Sequence, residues 1–251
     1  RQVQHKVLTS KQLNARFSYL NLLNEPALLR DDVATIRPHR LLAALNKYLA
    51  DKGVTFYNAQ QVQRLITKDR AITGAQINDE ILYAGEYIIC SGAWSPKLVP
   101  ELSSKPDISP VKGQMICFPP IDLADPCMVM DGDRYFIPRK DGRVVVGSTR
   151  EHTGFNADTS QQAFDDLRDF AQQLFPALQA VQPDAHWAGL RPSSPDSIPY
   201  ICRVAPYTNL SLNAGHYRNG IVTAPASAEL IADILLHRPS KLDHSAYQLT
   251  R

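Results

Sequence analysis

The chain has 251 residues, 44% hydrophobic and 21% charged, which suits one large domain or two small ones with a core needing neither metal nor disulfide. Lys and Arg number 27 against 25 Asp and Glu, a net charge of +2 with no long basic run, so the composition gives no electrostatic support to a nucleic-acid or anionic-membrane partner. No apolar run approaches the ~18 residues of a membrane span, and Arg1-Gln2-Val3-Gln4-His5-Lys6 has no signal-peptide core, so the expectation is a soluble, cytoplasmic protein.

In chain order, the first clear element follows Pro38. Leu41, Leu42, Leu45 and Leu49 share one face of a helix that opens on Pro38 and ends before Gly53. Val54-Thr55-Phe56-Tyr57 reads as a strand, as do Val62 to Thr67, Ala71 to Ile77 and Ile81 to Tyr83. Tyr87-Ile88-Ile89-Cys90 is continuously apolar, the pattern of a parallel strand buried on both faces.

The middle of the chain predicts antiparallel sheet. Its strands are Val111 to Phe118, Arg134 to Pro138 and Arg143 to Thr149, the last two joined through Asp141-Gly142, a hairpin signal. Thr159 with Gln162 resembles a capping box for a helix that buries Phe164, Leu167, Ala171 and Leu174 and stops at Pro176. Strands are expected near Ala185 to Leu190, Ile198 to Cys202 and Leu210 to Ala214. A terminal helix follows, with Pro225 in its first turn and Ile231, Ile234 and Leu235 inward, and then a mobile tail to Arg251. The fold class is mixed α/β.

The four cysteines, Cys90, Cys117, Cys127 and Cys202, form no C-x-x-C, and three follow apolar residues, so they read as buried free thiols in a reducing compartment. The seven histidines offer no ligand spacing, and no metal is expected.

Four segments have the residue types of a binding site. Gly215-His216-Tyr217-Arg218-Asn219-Gly220 leads from a strand into a helix start, where unpaired N–H groups and the helix dipole suit an anion; an ordinary strand-to-helix turn has the same spacing. Arg191 ends the apolar run of Trp187-Ala188-Gly189-Leu190-Arg191-Pro192, where its planar fork suits a carboxylate ligand or an internal partner such as Asp196. Tyr135 shares a strand face with Ile137 and Arg139, and its hydroxyl suits either a ligand or a core partner. Ser91-Gly92-Ala93-Trp94-Ser95 permits close backbone approach at Gly92 by a cofactor or a neighbouring helix. No G-x-S-x-G is present, and none of the 12 glycines makes a G-x-G-x-x-G.

Taken with Pro110-Val111-Lys112-Gly113-Gln114-Met115 and Gly142-Arg143-Val144-Val145-Val146-Gly147-Ser148-Thr149, these segments resemble the FAD-dependent glycine/D-amino-acid oxidase family, within it the glycine oxidase branch of thiamine biosynthesis, from about Glu25 to Leu236. The resemblance implies that the chain lacks roughly the first hundred residues of such an enzyme, including its glycine-rich FAD-binding unit. What remains would be an incomplete, Rossmann-like FAD-binding domain (30–106 and 190–237) interleaved with an antiparallel-sheet substrate domain (1–29 and 107–189), and a tail (238–251).

By resemblance, Arg191 grips the substrate carboxylate in a two-point ion pair, Tyr135 donates to the same carboxylate and Arg218 lies beside it; with Arg150 these are the expected substrate-binding residues. Val62, Gly92, Trp94 and the turn His216, Tyr217, Arg218, Asn219, Gly220, Ile221 and Val222 contact non-covalent FAD. The implied reaction passes a hydride from the Cα of glycine or another small amino acid or amine to the flavin, which O2 reoxidises to give peroxide. Relatives imply a homo-oligomer. Two positions depart from what the resemblance implies. Arg150 stands beside the expected pocket where the family often has an apolar residue, and would narrow the cavity or favour a substrate with a second acidic group. Asp133 stands where a relative carries histidine, which changes local charge. The 251 residues alone are expected to hold FAD weakly and to be inactive. The alternatives are a sarcosine oxidase-like activity and a non-catalytic carboxylate-binding or assembly module that has lost the flavin.

Overall fold

The computed structural model describes residues 4–21, 26–99, 104–123 and 127–251. Arg1 to Val3 and Glu25, used above to judge the start of the chain and of the resemblance, lie outside them. The chain opens with β1 (Lys6–Leu8), α1 (Ser10–Arg16), β2 (Ala27–Leu29) and α2 (Pro38–Asp51). Next come β3 (Val62–Lys68), β4 (Ala71–Ile77), β5 (Glu80–Leu82), β6 (Tyr87–Ile89) and the short α3 (Ser95–Leu98). The middle holds β7 (Ser109–Phe118), β8 (Val129–Asp131), β9 (Arg134–Pro138), β10 (Val144–Gly147) and α4 (Gln161–Leu174). The last elements are β11 (Ala185–Ser193), β12 (Tyr200–Arg203), β13 (Leu210–Ala214) and α5 (Gly220–Leu235).

Two compact units result. The first comprises Arg1–Arg37, Lys112–Glu151 and Asn156–Gly189. Its five-stranded sheet runs β11-β7-β10-β9-β8, antiparallel where β7, β10, β9 and β8 pair. Alternate residues Ile116, Phe118, Phe136, Val144 and Val146 form a core with Leu167, Ala171 and Leu174 of α4 and Leu13 of α1. Burying Phe118 and Phe136 stabilises the unit by about 2–3 kcal/mol each. The expected hairpin is present, its turn closed by Gly142 N–H to Arg139 C=O at 2.9 Å. The cap of α4 is Ser160, one residue later than expected, because its hydroxyl, not that of Thr159, accepts from Ala163 N–H. The capping box belongs instead to α1, where Thr9 and Gln12 cap each other.

The second unit comprises Pro38–Val111, His152–Phe155 and Leu190–Arg251. It holds the antiparallel meander β3-β4-β5 and the sheet β12-β13-β6, in which β13 and β6 run parallel. Asn209 ties the two together: its side chain accepts from Ile72 N–H at 2.8 Å and donates to Ile72 C=O at 2.9 Å. Leu210, Leu212 and Ala214 bury one face of β13 against Tyr87, Ile89 and Ile72. Ile201 packs with Leu230 and Ile231 of α5, and Ile234 and Leu235 join them as expected.

Several expectations need correction here. Val54 to Tyr57 is not a strand, since no described strand lies beside it, and Val54, Phe56 and Tyr57 are exposed. The leucines of α2 do align, but Leu42, Leu45 and Leu49 face solvent, 56%, 44% and 37% exposed, so among the described residues this apolar face has no cover. Tyr87 and Ile89 are buried but Ile88 is 44% exposed, because one face of β6 lacks a neighbour. Cys90 follows it to the surface, whereas Cys117 and Cys202 are buried, and none of the four cysteines is in a disulfide. Helix α5 begins at Gly220, which moves Pro225 past its first turn. The C-terminal residues are also held: Leu249 packs on the core, and Arg251 grips Asp196 at 2.8 and 2.9 Å with its guanidinium 4.1 Å from the Tyr200 ring.

Candidate active site

In the first unit the site residues gather at one end of β9 and β10. Register pairs Tyr135 with Gly147. A Cβ on Gly147 would lie 2.9 Å from the Tyr135 ring and 3.0 Å from Met115, so only glycine lets that ring lie across the strand. Tyr135 is half-buried, and its hydroxyl contacts the Met115 sulfur at 3.8 Å, a weak partner. Beyond Gly147, Arg150 reaches back to Asp133 at 2.8 Å. The two positions singled out in the sequence, Arg150 and Asp133, thus form one ion pair.

The next residue, Glu151, belongs to a buried network that sequence reading missed. Lys112, 6% exposed, meets Glu151 at 3.0 Å and donates to Asp158 C=O at 3.1 Å. Fully buried Gln114 donates to Glu151 at 2.8 Å and accepts from Ser160 N–H at 2.9 Å. Burial pushes the Glu151 carboxyl up, but hydrogen bonds from Thr149, Gln114 and Lys112 outweigh it and hold the group below the usual carboxylate range. The available signal was two polar side chains, Lys112 and Gln114, inside the otherwise apolar run of β7.

In the second unit the turn after β13 meets the end of β11. Gly215 takes φ +87°, and a Cβ there would press on Tyr200 at 3.4 Å. The turn is tied to the arginine segment by Tyr217 N–H to Pro192 C=O at 2.8 Å and a bridge between Ser193 and His216. A Cβ on Gly92 would meet only Pro192, at 4.0 Å. Arg191, the Gly92 segment and the 215–222 turn therefore converge. Trp94, 47% exposed, has its ring 5.5 Å from that of Phe155, over which Lys97 lies at 3.8 Å. Val62 opens β3 and packs on the core. Asp196, the internal partner considered for Arg191, is ion-paired with Arg251.

His216 is braced from behind. The Ser227 hydroxyl donates to Asn213 Oδ1 at 2.8 Å and so accepts from His216 Nε2 at 2.8 Å, placing the proton of the neutral ring on Nε2. Burial depresses the His216 pKa. Ahead of it α5 starts on Asn219 without a side-chain cap, and Ile221 and Val222 in its first turn are exposed. Open N–H donors at the positive end of a 16-residue helix fit the electron-rich edge of a flavin ring. No G-x-G-x-x-G occurs in the chain.

Residues 1–234 match the family model described as FAD dependent oxidoreductase. The chain belongs to that family. A glycine oxidase of Pseudomonas putida is 37% identical over 97% of this chain and 68% of its own length. A bifunctional protein ThiO/ThiG of Trichormus variabilis is 33% identical over 78% of the chain and 30% of its own. Among solved structures, glycine oxidase of Geobacillus kaustophilus superposes with a TM-score of 0.93 at 24% identity, covering all of this chain and 68% of that one, which shows the shared fold. Membership implies FAD as cofactor. Among the described residues no helix is long and apolar enough to cross a membrane, and no three potential ligands gather for a metal ion.

Proposed function

We propose that this chain is the larger part of a flavin-dependent oxidase acting on glycine or another small amino acid or amine, linked to thiamine biosynthesis and working in the cytoplasm as a homo-oligomer. The observation that carries this reading is the 37% identity with a glycine oxidase over 97% of the chain. The chain spans about two thirds of that relative and less than a third of the bifunctional one, so the whole enzyme would include a glycine-rich FAD-binding segment not present here.

In this reading 30–106 and 190–237 belong to the flavin-binding part, and 1–29 with 107–189 to the substrate-binding part. Arg191 holds the substrate carboxylate in a two-point ion pair, Tyr135 donates to the same group, and Arg218 lies beside it. Val62 lies near the adenine end of FAD, Gly92 and Trp94 along the cofactor, and His216 to Val222 near its ring. When bound, FAD supplies the two-electron acceptor for the hydride from Cα. The chain's own contribution is orientation of that C–H bond and charge placement: first-turn N–H groups of α5 stabilise negative charge that grows beside them. With the amine arriving neutral, no side-chain acid or base is needed.

The overall balance is amino acid, O2 and water giving 2-oxo acid, ammonia and H2O2. The flavin-loaded whole enzyme is expected to release one H2O2 and one ammonia for each O2 consumed with glycine. Binding of small carboxylates with no O2 uptake from any small amino acid or amine would overturn the reading in favour of a carboxylate-binding module.

A further inference from the structure

Near Tyr135 in the chain's fold, Arg150 and Asp133 form an ion pair at 2.8 Å. The β9–β10 ladder explains why they meet. Tyr135 faces Gly147 in register, so the residues before Tyr135 and those after Gly147 emerge at the same sheet end. The pair therefore flanks the tyrosine on the edge of the substrate-binding part. Both side chains are about half exposed, 47% for Arg150 and 55% for Asp133, so water and a ligand reach them.

A lone arginine at that place would attract any substrate with a second carboxylate. With Asp133 attached, its charge is offset and one arm of its fork is engaged, and the aspartate repels the incoming acid group. Exposed ion pairs are weak, so this is a discrimination of modest size.

We propose that Asp133 is a specificity-determining residue: by holding Arg150 it turns the site away from amino acids with a second carboxylate and toward those whose remainder is neutral. The proposal rests on the oxidase reading, because it assigns Tyr135 to the substrate carboxylate. Sarcosine and iminodiacetate make a matched pair of probes, since they differ only by a carboxylate on the N-methyl group.

The test compares the flavin-loaded whole enzyme with its Asp133→Asn variant and with an Asp133→Asn/Arg150→Leu double variant. The ratio of kcat/KM for iminodiacetate to that for sarcosine is expected to rise about 3- to 10-fold in Asp133→Asn. It is expected to fall back in the double variant, because the gain works through the freed arginine. Calorimetric titration with the non-oxidisable ethers oxydiacetate and methoxyacetate should show the same shift in relative Kd without turnover. An unchanged ratio in Asp133→Asn, or a gain that survives loss of Arg150, overturns the proposal. If the wild type oxidises neither amine, the calorimetric ratio alone decides the role of Asp133, and the oxidase reading itself fails only if glycine and other small amino acids are not oxidised either.

Discussion

Lys112 has 6% of its side chain exposed and Glu151 27%, so removing the carboxylate leaves an ammonium in a site water barely reaches. Glu151→Ala is expected to cost about 3 kcal/mol in chemical denaturation, the low end for a buried pair because Glu151 is partly wet. The acid limb has a definite sign. The folded-state pKa of Glu151 is lowered, so its stabilisation is complete above the unfolded value near ~4.3 and is lost as pH falls through the lower folded one. Glu151→Gln should flatten the Tm profile below about pH 4, and a profile parallel to wild type would contradict this. At this scale the sequence was readable one residue at a time. Arg150 and Asp133 each stood out as departures, and Arg191 with Asp196 as a candidate pair. Which charges meet depends on ladder register and on where Arg251 docks, and neither is written in local spacing.

Helix α2 was legible because its leucines recur at helical spacing after Pro38, while its surroundings were not. Periodicity says that a face is apolar, not what lies against it. Val54 to Tyr57 failed for the same reason: an apolar run becomes a strand only where a neighbour supplies the ladder. The seven-residue α1 was missed because its Leu13 and capping box are short signals. Leu42, Leu45 and Leu49 expose an apolar face of α2, and Ile88 is exposed on β6; in the proposed whole enzyme both are covered. Leu45→Lys should therefore shift the stability of the 251-residue chain by less than about 0.5 kcal/mol, and that of the whole enzyme by about 2 kcal/mol or more. Equal, small effects in both would show that this face stays open.

At the scale of the molecule, the mixed α/β class and the antiparallel middle were readable from alternation and the Asp141-Gly142 hairpin. The site was only half readable. Its residues come from separate stretches, and hydrogen bonds such as Tyr217 N–H to Pro192 C=O, which bring the arginine segment to the turn after β13, arise from packing at long sequence separation. The claim on which the proposed chemistry depends is that Arg191 binds the substrate carboxylate. Its most direct test is kcat/KM for glycine in Arg191→Ala flavin-loaded whole enzyme. A loss of about 3–5 kcal/mol in transition-state binding, a drop on the order of 100- to 1000-fold or more, is the result this account requires. A wild-type value in that variant would contradict it.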